Sequence, residues 1–195
     1  MKKKISVIIP CYKVSEFIND VVGNTINYAD LIYCIDDGCP DKSLEKIEKK
    51  FLSSPKLKIL KHIKNKGMGA AVKTGYNKAI EDGAEIIVKM DGDNQMNSNL
   101  IPLLIKPLID EEADYTKGNR LLNLKSISNM PTIRIIGNSM LSLLAKFSTG
   151  LWKLSDPENG FTAIHSKVLE LVDMNKINNK FFFQADLLHH LNLID

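Results

Sequence analysis

Glu85-Ile86-Ile87-Val88-Lys89-Met90 runs directly into Asp91-Gly92-Asp93-Asn94-Gln95. The first six residues form a short, β-rich apolar run of the kind buried inside a sheet, and the next five form a polar loop. The same pattern repeats towards the N-terminus. Apolar runs at Ile5 to Pro10, Leu31 to Ile35 and Leu57 to Leu60 alternate with helix-like stretches at Ser15 to Asn27, Lys42 to Leu52 and Met68 to Glu81. Continuous apolar strands separated by amphipathic helices predict an α/β fold, a Rossmann-like, mainly parallel sheet with helices on both faces. Ser15, ahead of Ile18, Val21 and Val22, supplies the expected start of the first helix.

In such sheets ligands bind beyond the carboxyl ends of the strands, so the residues placed there matter most. The first strand ends in Pro10-Cys11-Tyr12 and the second in Asp36-Asp37-Gly38-Cys39-Pro40-Asp41. The third leads into Asn65-Lys66-Gly67-Met68-Gly69, and the fourth into Asp91 to Gln95. One polar, glycine-containing loop would be a turn. Four at one edge predict a nucleotide pocket.

The C-terminal half is less regular. Ala113 to Lys117 reads as a fifth strand leading into Gly118-Asn119-Arg120, and a linker rich in Ser, Asn and Pro follows through Pro131. Arg134 to Phe147 reads as a helix, Asp156-Pro157-Glu158-Asn159-Gly160-Phe161 as a loop, and Phe181 to Leu193 as a helix. A single domain is expected over residues 1–195, with a nucleotide-binding half at 1–117 and an acceptor-side half at 118–195.

Composition bounds the function. The 195 residues are 44% hydrophobic and 25% charged, ordinary for a globular protein able to bury a sizeable core. Twenty-six basic against 23 acidic side chains leave +3, far from the basic footprint of a nucleic-acid binder. The three cysteines, Cys11, Cys34 and Cys39, are odd in number and form no CxxC pair, which fits a reducing, cytoplasmic setting. The apolar run after Lys2-Lys3-Lys4 is interrupted at Pro10, too short for a secretory h-region, and no run is long enough to cross a bilayer.

Asp91 and Asp93 lie two apart on an extended segment, so both carboxylates point the same way and can converge on one hard cation. Mg²⁺ or Mn²⁺ suits such oxygen ligands and bridges them to substrate phosphates. The alternative is a polar turn, which Asp and Gly also favour. An EF-hand loop is excluded, because its sixth and twelfth places fall on Met96 and Pro102. Asp36 and Asp37 offer carboxylates to a nucleobase or ribose, whereas Asp41 reads as a helix N-cap. Gly67-Met68-Gly69-Ala70-Ala71-Val72 lacks the third small residue of a dinucleotide fingerprint. It still opens a helix whose amides suit an anion, with Lys66 beside it. Arg120 matches phosphate bidentately or is a solvated surface residue. Asp156 and Glu158 are candidate general bases or turn formers. His189-His190 are adjacent on a helix and read as structural. Phe181-Phe182-Phe183 reads as core, with a lipid-facing or partner-facing role as the alternative.

In order, these segments resemble the family 2 glycosyltransferases of the GT-A fold, nearest to the branch of polyprenyl-phosphate (dolichol-phosphate) sugar synthases. The likeness runs through Ile5 to Tyr12, Ile35 to Asp41, Asn65 to Ala71, Asp91 to Gln95 and Asp156 to Ala163. The resemblance implies a metal-dependent enzyme that inverts the anomeric centre of a nucleotide sugar, a UDP- or GDP-sugar. Its acceptor would be a polyprenyl phosphate or a lipid-linked or cell-surface saccharide. Pro10, Tyr12 and Asp37 would contact the nucleoside. Asp91 and Asp93 would hold Mg²⁺ or Mn²⁺ on the diphosphate, with Gln95 near the sugar and Arg120 near the leaving group. Asp156 would be the base or acceptor-site carboxylate. Lys13-Val14 departs from the Asn-Glu carried there by many relatives, which removes an expected acidic contact. The likeness also implies a continuation past Asp195 and peripheral contact with a membrane's cytoplasmic face. Two other functions share the architecture, a sugar-nucleotide nucleotidyltransferase and a non-catalytic nucleotide-binding fragment. The first would carry a glycine-rich, Arg-containing loop where this chain has Pro10-Cys11-Tyr12-Lys13.

Overall fold

The computed structural model describes residues 3–51, 53–119 and 159–194. Its strands are β1 (Ile5–Cys11), β2 (Leu31–Asp36), β3 (Leu57–Lys61), β4 (Ile86–Lys89), β5 (Tyr115–Lys117) and β6 (Thr162–His165). The helices are α1 (Ile18–Thr25), α2 (Ser43–Phe51), α3 (Met68–Glu81), α4 (Ile101–Ile109), α5 (Ser166–Leu169) and α6 (Phe183–Leu193). The strands form one sheet in the order β3-β2-β1-β4-β6-β5. β1 pairs in parallel with β2 and β4, and β2 with β3, so the carboxyl ends of all four share one edge.

Alternation along the strands divides the core in two. Val7 and Ile9 of β1, Ile32 and Cys34 of β2, and Ile86 and Val88 of β4 face a layer built by Ile18, Val21 and Val22 of α1, Ile47 of α2 and Leu108 of α4. Ile8, Tyr33, Ile35, Ile87 and Ile164 face the opposite layer, where Val72 and Tyr76 of α3 meet Phe183 and Leu187 of α6. Helices therefore cover both faces, as the continuous apolar strands predict. Each such side chain contributes about 1.5–3 kcal/mol on full burial.

α3 spans the residues expected of it, whereas α1 starts later than expected. Ser15 does not open α1: its N–H donates to Asp41 Oδ2 at 2.9 Å, and α1 begins at Ile18 after a turn in which Ile18 N–H donates to Val14 O. Asp41 does reach the first turn of α2, accepting from Ser43 N–H at 3.2 Å and Ser43 Oγ at 2.6 Å. The expected fifth strand is present as β5, but on the outer edge. β6 lies between it and β4 and runs antiparallel to both. Thr162-Ala163, the end of the family-like stretch Asp156 to Ala163, opens β6, a strand too short to show periodicity. The expected helix over Arg134 to Phe147 lies outside the described residues. No described helix is long and apolar enough to cross a membrane.

Candidate functional site

A cavity of about 400 Å³ opens at the shared carboxyl edge. Pro10, Cys11, Tyr12 and Val14 line it from the end of β1, Asp37 from β2, and Asn65, Gly67 and Met68 from the turn into α3. Asp91, Gly92 and Asp93 line it from β4, and Lys180 and Phe181 from the loop before α6. The four loops that the sequence sends to one edge therefore meet in one pocket.

Asp37 is the anchor of this wall. It is 2% exposed, and its Oδ1 accepts from Lys66 N–H at 2.9 Å while Oδ2 accepts from Gly67 N–H at 2.8 Å. His62 Nδ1 lies 2.7 Å from the same Oδ1, and His62 Nε2 lies 2.9 Å from Thr74 Oγ1 on α3. The carboxylate thus ties the end of β2 to the β3–α3 turn. Gly67 has φ +101°, a conformation that side chains other than glycine's rarely adopt, and a Cβ there would meet Asn179 O at 2.4 Å. The turn is therefore pressed against the segment that leads into Lys180 and Phe181.

Asp91 and Asp93 project from the opposite wall. Asp93 Oδ1 accepts from Gln95 N–H at 3.1 Å, and Asn94 occupies the left-handed region at φ 60°. That conformation is among those Asn tolerates best. Asp91 Oδ1 is 2.5 Å from Lys89 Nζ, a lysine whose side chain is only 1% exposed. Two carboxylates on one pocket wall, flanked by space for phosphate oxygens and water, form an oxygen donor set that fits Mg²⁺ or Mn²⁺. Among the described residues no group of three or more His, Cys, Asp or Glu forms a self-sufficient cage.

Cys11 ends β1 beside the site and is fully buried. A hydrogen bond to Cys34 and complete burial push the Cys11 thiol well above its ordinary range, which keeps it neutral. Tyr12, by contrast, is half-exposed at the rim, with Lys13 Nζ 5.6 Å from its ring centroid.

Pro10, Tyr12, Asp37, Gly67, Asp91 and Asp93 thus stand together around the cavity. Asp36, Lys66 and Gln95 stand outside its lining. Asp36 Oδ1 accepts from Cys39 N–H at 2.7 Å and shapes the turn after β2, while Lys66 reaches the site through its backbone amide alone. Arg120 and Asp156 lie outside the described residues. Sequence reasoning missed His62, Lys89 and Lys180. Lys89 had left a signal, as the single charged residue interior to the apolar run Glu85 to Met90. His62 had left none, because its partners lie 25 and 12 residues away.

Comparisons with known proteins bear on the family and the fold. The family model described as "Glycosyl transferase family 2" matches residues 6–172. The chain is similar to the UDP-N-acetylglucosamine–dolichyl-phosphate N-acetylglucosaminyltransferase of Methanococcus voltae, 34% identical over 183 residues, covering 87% of this chain and 72% of that one. It is similar to the dolichol-phosphate mannosyltransferase of Pyrococcus furiosus, 29% identical over 93% of this chain and 51% of that one. The glucosyl-3-phosphoglycerate synthase of Mycobacterium tuberculosis, solved with Mn²⁺, UDP-glucose and phosphoglyceric acid, superposes with a TM-score of 0.69. It is 17% identical, and the match covers 95% of this chain and 64% of that one, so it bears on the fold alone. The expected GT-A architecture is the one observed, and the chain spans about two thirds of that solved protein.

Proposed function

Because the chain belongs to glycosyl transferase family 2, we propose that it transfers a sugar from a UDP- or GDP-sugar, with inversion, to a polyprenyl phosphate or lipid-linked saccharide. One observation carries the donor half: Asp91 and Asp93 face Asp37 and the Gly67 turn across a single cavity formed by four strand ends. Asp91 and Asp93 would hold Mg²⁺ or Mn²⁺, which when bound supplies electrostatic stabilisation of the departing diphosphate. Pro10 and Tyr12 would flank the nucleoside. Asp37 would hold the turn that opens α3 against the cavity, by accepting from the Lys66 and Gly67 amides. Gln95 and Arg120 would approach the sugar and the leaving group.

Two features support a lipid-phosphate acceptor. Both curated relatives described above are named for dolichyl or dolichol phosphate. At the cavity mouth, Lys180 stands beside Phe181 and Phe182, which are 67% and 65% exposed. A cation beside exposed aromatics suits a phosphate on an apolar chain at a membrane surface. With a phosphate acceptor the nucleophile is already ionised and needs no general base, which leaves Asp156 an acceptor-site carboxylate. Family membership favours glycosyl transfer over nucleotidyl transfer.

Calorimetry with UDP and GDP, with and without Mn²⁺, tests the donor site. One of the two nucleotides should bind in a Mn²⁺-dependent way, and Asp93→Ala should abolish that dependence. Absence of binding by both nucleotides would overturn the proposal. Transfer from a panel of sugar nucleotides to a short polyprenyl phosphate then tests the acceptor, and no transfer to it overturns the lipid assignment.

A further inference from the structure

Lys89 is the one residue of β4 whose burial is hard to account for by packing. It follows Ile86, Ile87 and Val88, and alternation sends it to the same face as Ile87, under the layer of α3 and α6. Its Cα neighbours in the sheet are Ile8 and Thr162, and the lysine is 1% exposed. A buried ammonium is costly unless paired. Its counter-charge is Asp91, one of the two carboxylates proposed to hold the metal, at 2.5 Å.

The surroundings are built around this pair. A Cβ on Gly160 would lie 2.2 Å from Lys89 Nζ and 2.7 Å from Asp91 Oδ2, so the glycine lets the chain close over both charges without displacing either. The segment is held in place there, because Lys117 Nζ donates to Asn159 O at 2.6 Å and Phe161 N–H donates to Asn159 Oδ1 at 3.0 Å.

Lys89 therefore changes what the site offers a metal. Asp91 Oδ1 is already engaged by a fixed cation, and the two carboxylates with the ammonium leave a single net negative charge. A divalent ion entering alone meets few free oxygens and a positive charge in surroundings that screen it weakly. A nucleoside diphosphate arriving with the ion brings both the missing oxygens and the missing negative charge. We propose that Lys89 is a positioning residue that fixes Asp91 and makes metal binding conditional on the diphosphate, so that ion and donor enter as a unit. This rests on the assignment of Asp91 and Asp93 to the metal, and it adds an order of binding that the carboxylates by themselves do not impose.

The test is calorimetric titration of Mn²⁺ into the full chain, with and without saturating UDP or GDP, whichever binds. In the unaltered protein the nucleotide should tighten Mn²⁺ binding by on the order of tenfold or more. Lys89→Met and Lys89→Gln both remove the charge, one with an apolar and one with a polar side chain. Both should bind Mn²⁺ alone more tightly, by on the order of tenfold, with the coupling to nucleotide reduced to match. Loss of a merely structural lysine would weaken Mn²⁺ binding or leave it unchanged. Gly160→Ala keeps the lysine but drives its ammonium off Asp91, and should shift Mn²⁺ affinity in the same direction. Unchanged or weaker Mn²⁺ binding in these variants, with the nucleotide complex intact, overturns the role of Lys89 alone. So does equal Mn²⁺ affinity with and without nucleotide in the unaltered protein, a readout that needs no variant to fold. Absence of binding of both UDP and GDP by the unaltered protein, with Mn²⁺ present, overturns the donor site itself.

Discussion

His62 Nδ1 and Asp37 Oδ1 lie 2.7 Å apart, and both side chains are almost wholly withdrawn from solvent. The pair joins the end of β2 to the start of α3, because the same carboxylate also holds the amides of Lys66 and Gly67. Asp37 thus serves the pocket through the loop it shapes as well as through any contact with a ligand.

Asp37→Asn keeps the shape but replaces one acceptor oxygen by an NH₂ group facing an N–H or the imidazole. A buried donor left facing a donor costs about 1–3 kcal/mol. Chemical denaturation should show a loss of that size, and UDP or GDP affinity should fall with it. Unchanged stability would show that the loop does not depend on the carboxylate.

Gly67→Ala should be among the most damaging small substitutions. It forces a side chain into φ +101° and against Asn179 O. Backbone strain of this kind costs about 1–3 kcal/mol, with the clash added. Thermal unfolding should show the loss, and nucleotide affinity should drop even at temperatures where the variant is folded.

Lys180→Ala tests the cationic lip of the cavity. Lys180 lines the pocket beside Phe181 and is exposed, so its contribution is long-range and screened by salt. Nucleotide affinity should weaken a few-fold at low ionic strength, about 0.2–1 kcal/mol, and much less in high salt. Stability should not change.

Asp41 gives a pH signature away from the cavity. Partial burial pushes its carboxyl up, but hydrogen bonds from Cys39, Ser43 and Ser15 outweigh this and hold it well below the usual carboxylate range. A depressed folded-state value means that the stabilisation is complete above the unfolded value of about 4 and is lost as pH falls below it. Asp41→Asn should therefore be less stable than the unaltered protein at neutral pH. The gap should narrow as denaturation is followed from about pH 4 downward, and a gap independent of pH would remove Asp41 from this role.

The sequence by itself determined the alternation of strands and helices in the first hundred residues, because burial on both faces leaves an unbroken apolar run for each parallel strand. It also determined that Pro10, Tyr12, Asp37, Gly67, Asp91 and Asp93 belong to one edge, since parallel strands carry their carboxyl ends together. Asp91 and Asp93 were legible because their relation is local, two residues apart in the turn that follows β4. Only the tertiary structure decided that β6 enters antiparallel beside β4 and sets Gly160 against Asp91 and Lys89. It alone brought His62 to Asp37 and Lys180 to Gly67. These are contacts between segments far apart in the chain, and side-chain periodicity carries no record of them: a buried ion pair or a clamped loop is specified by which surfaces meet, not by the spacing of the residues that form it.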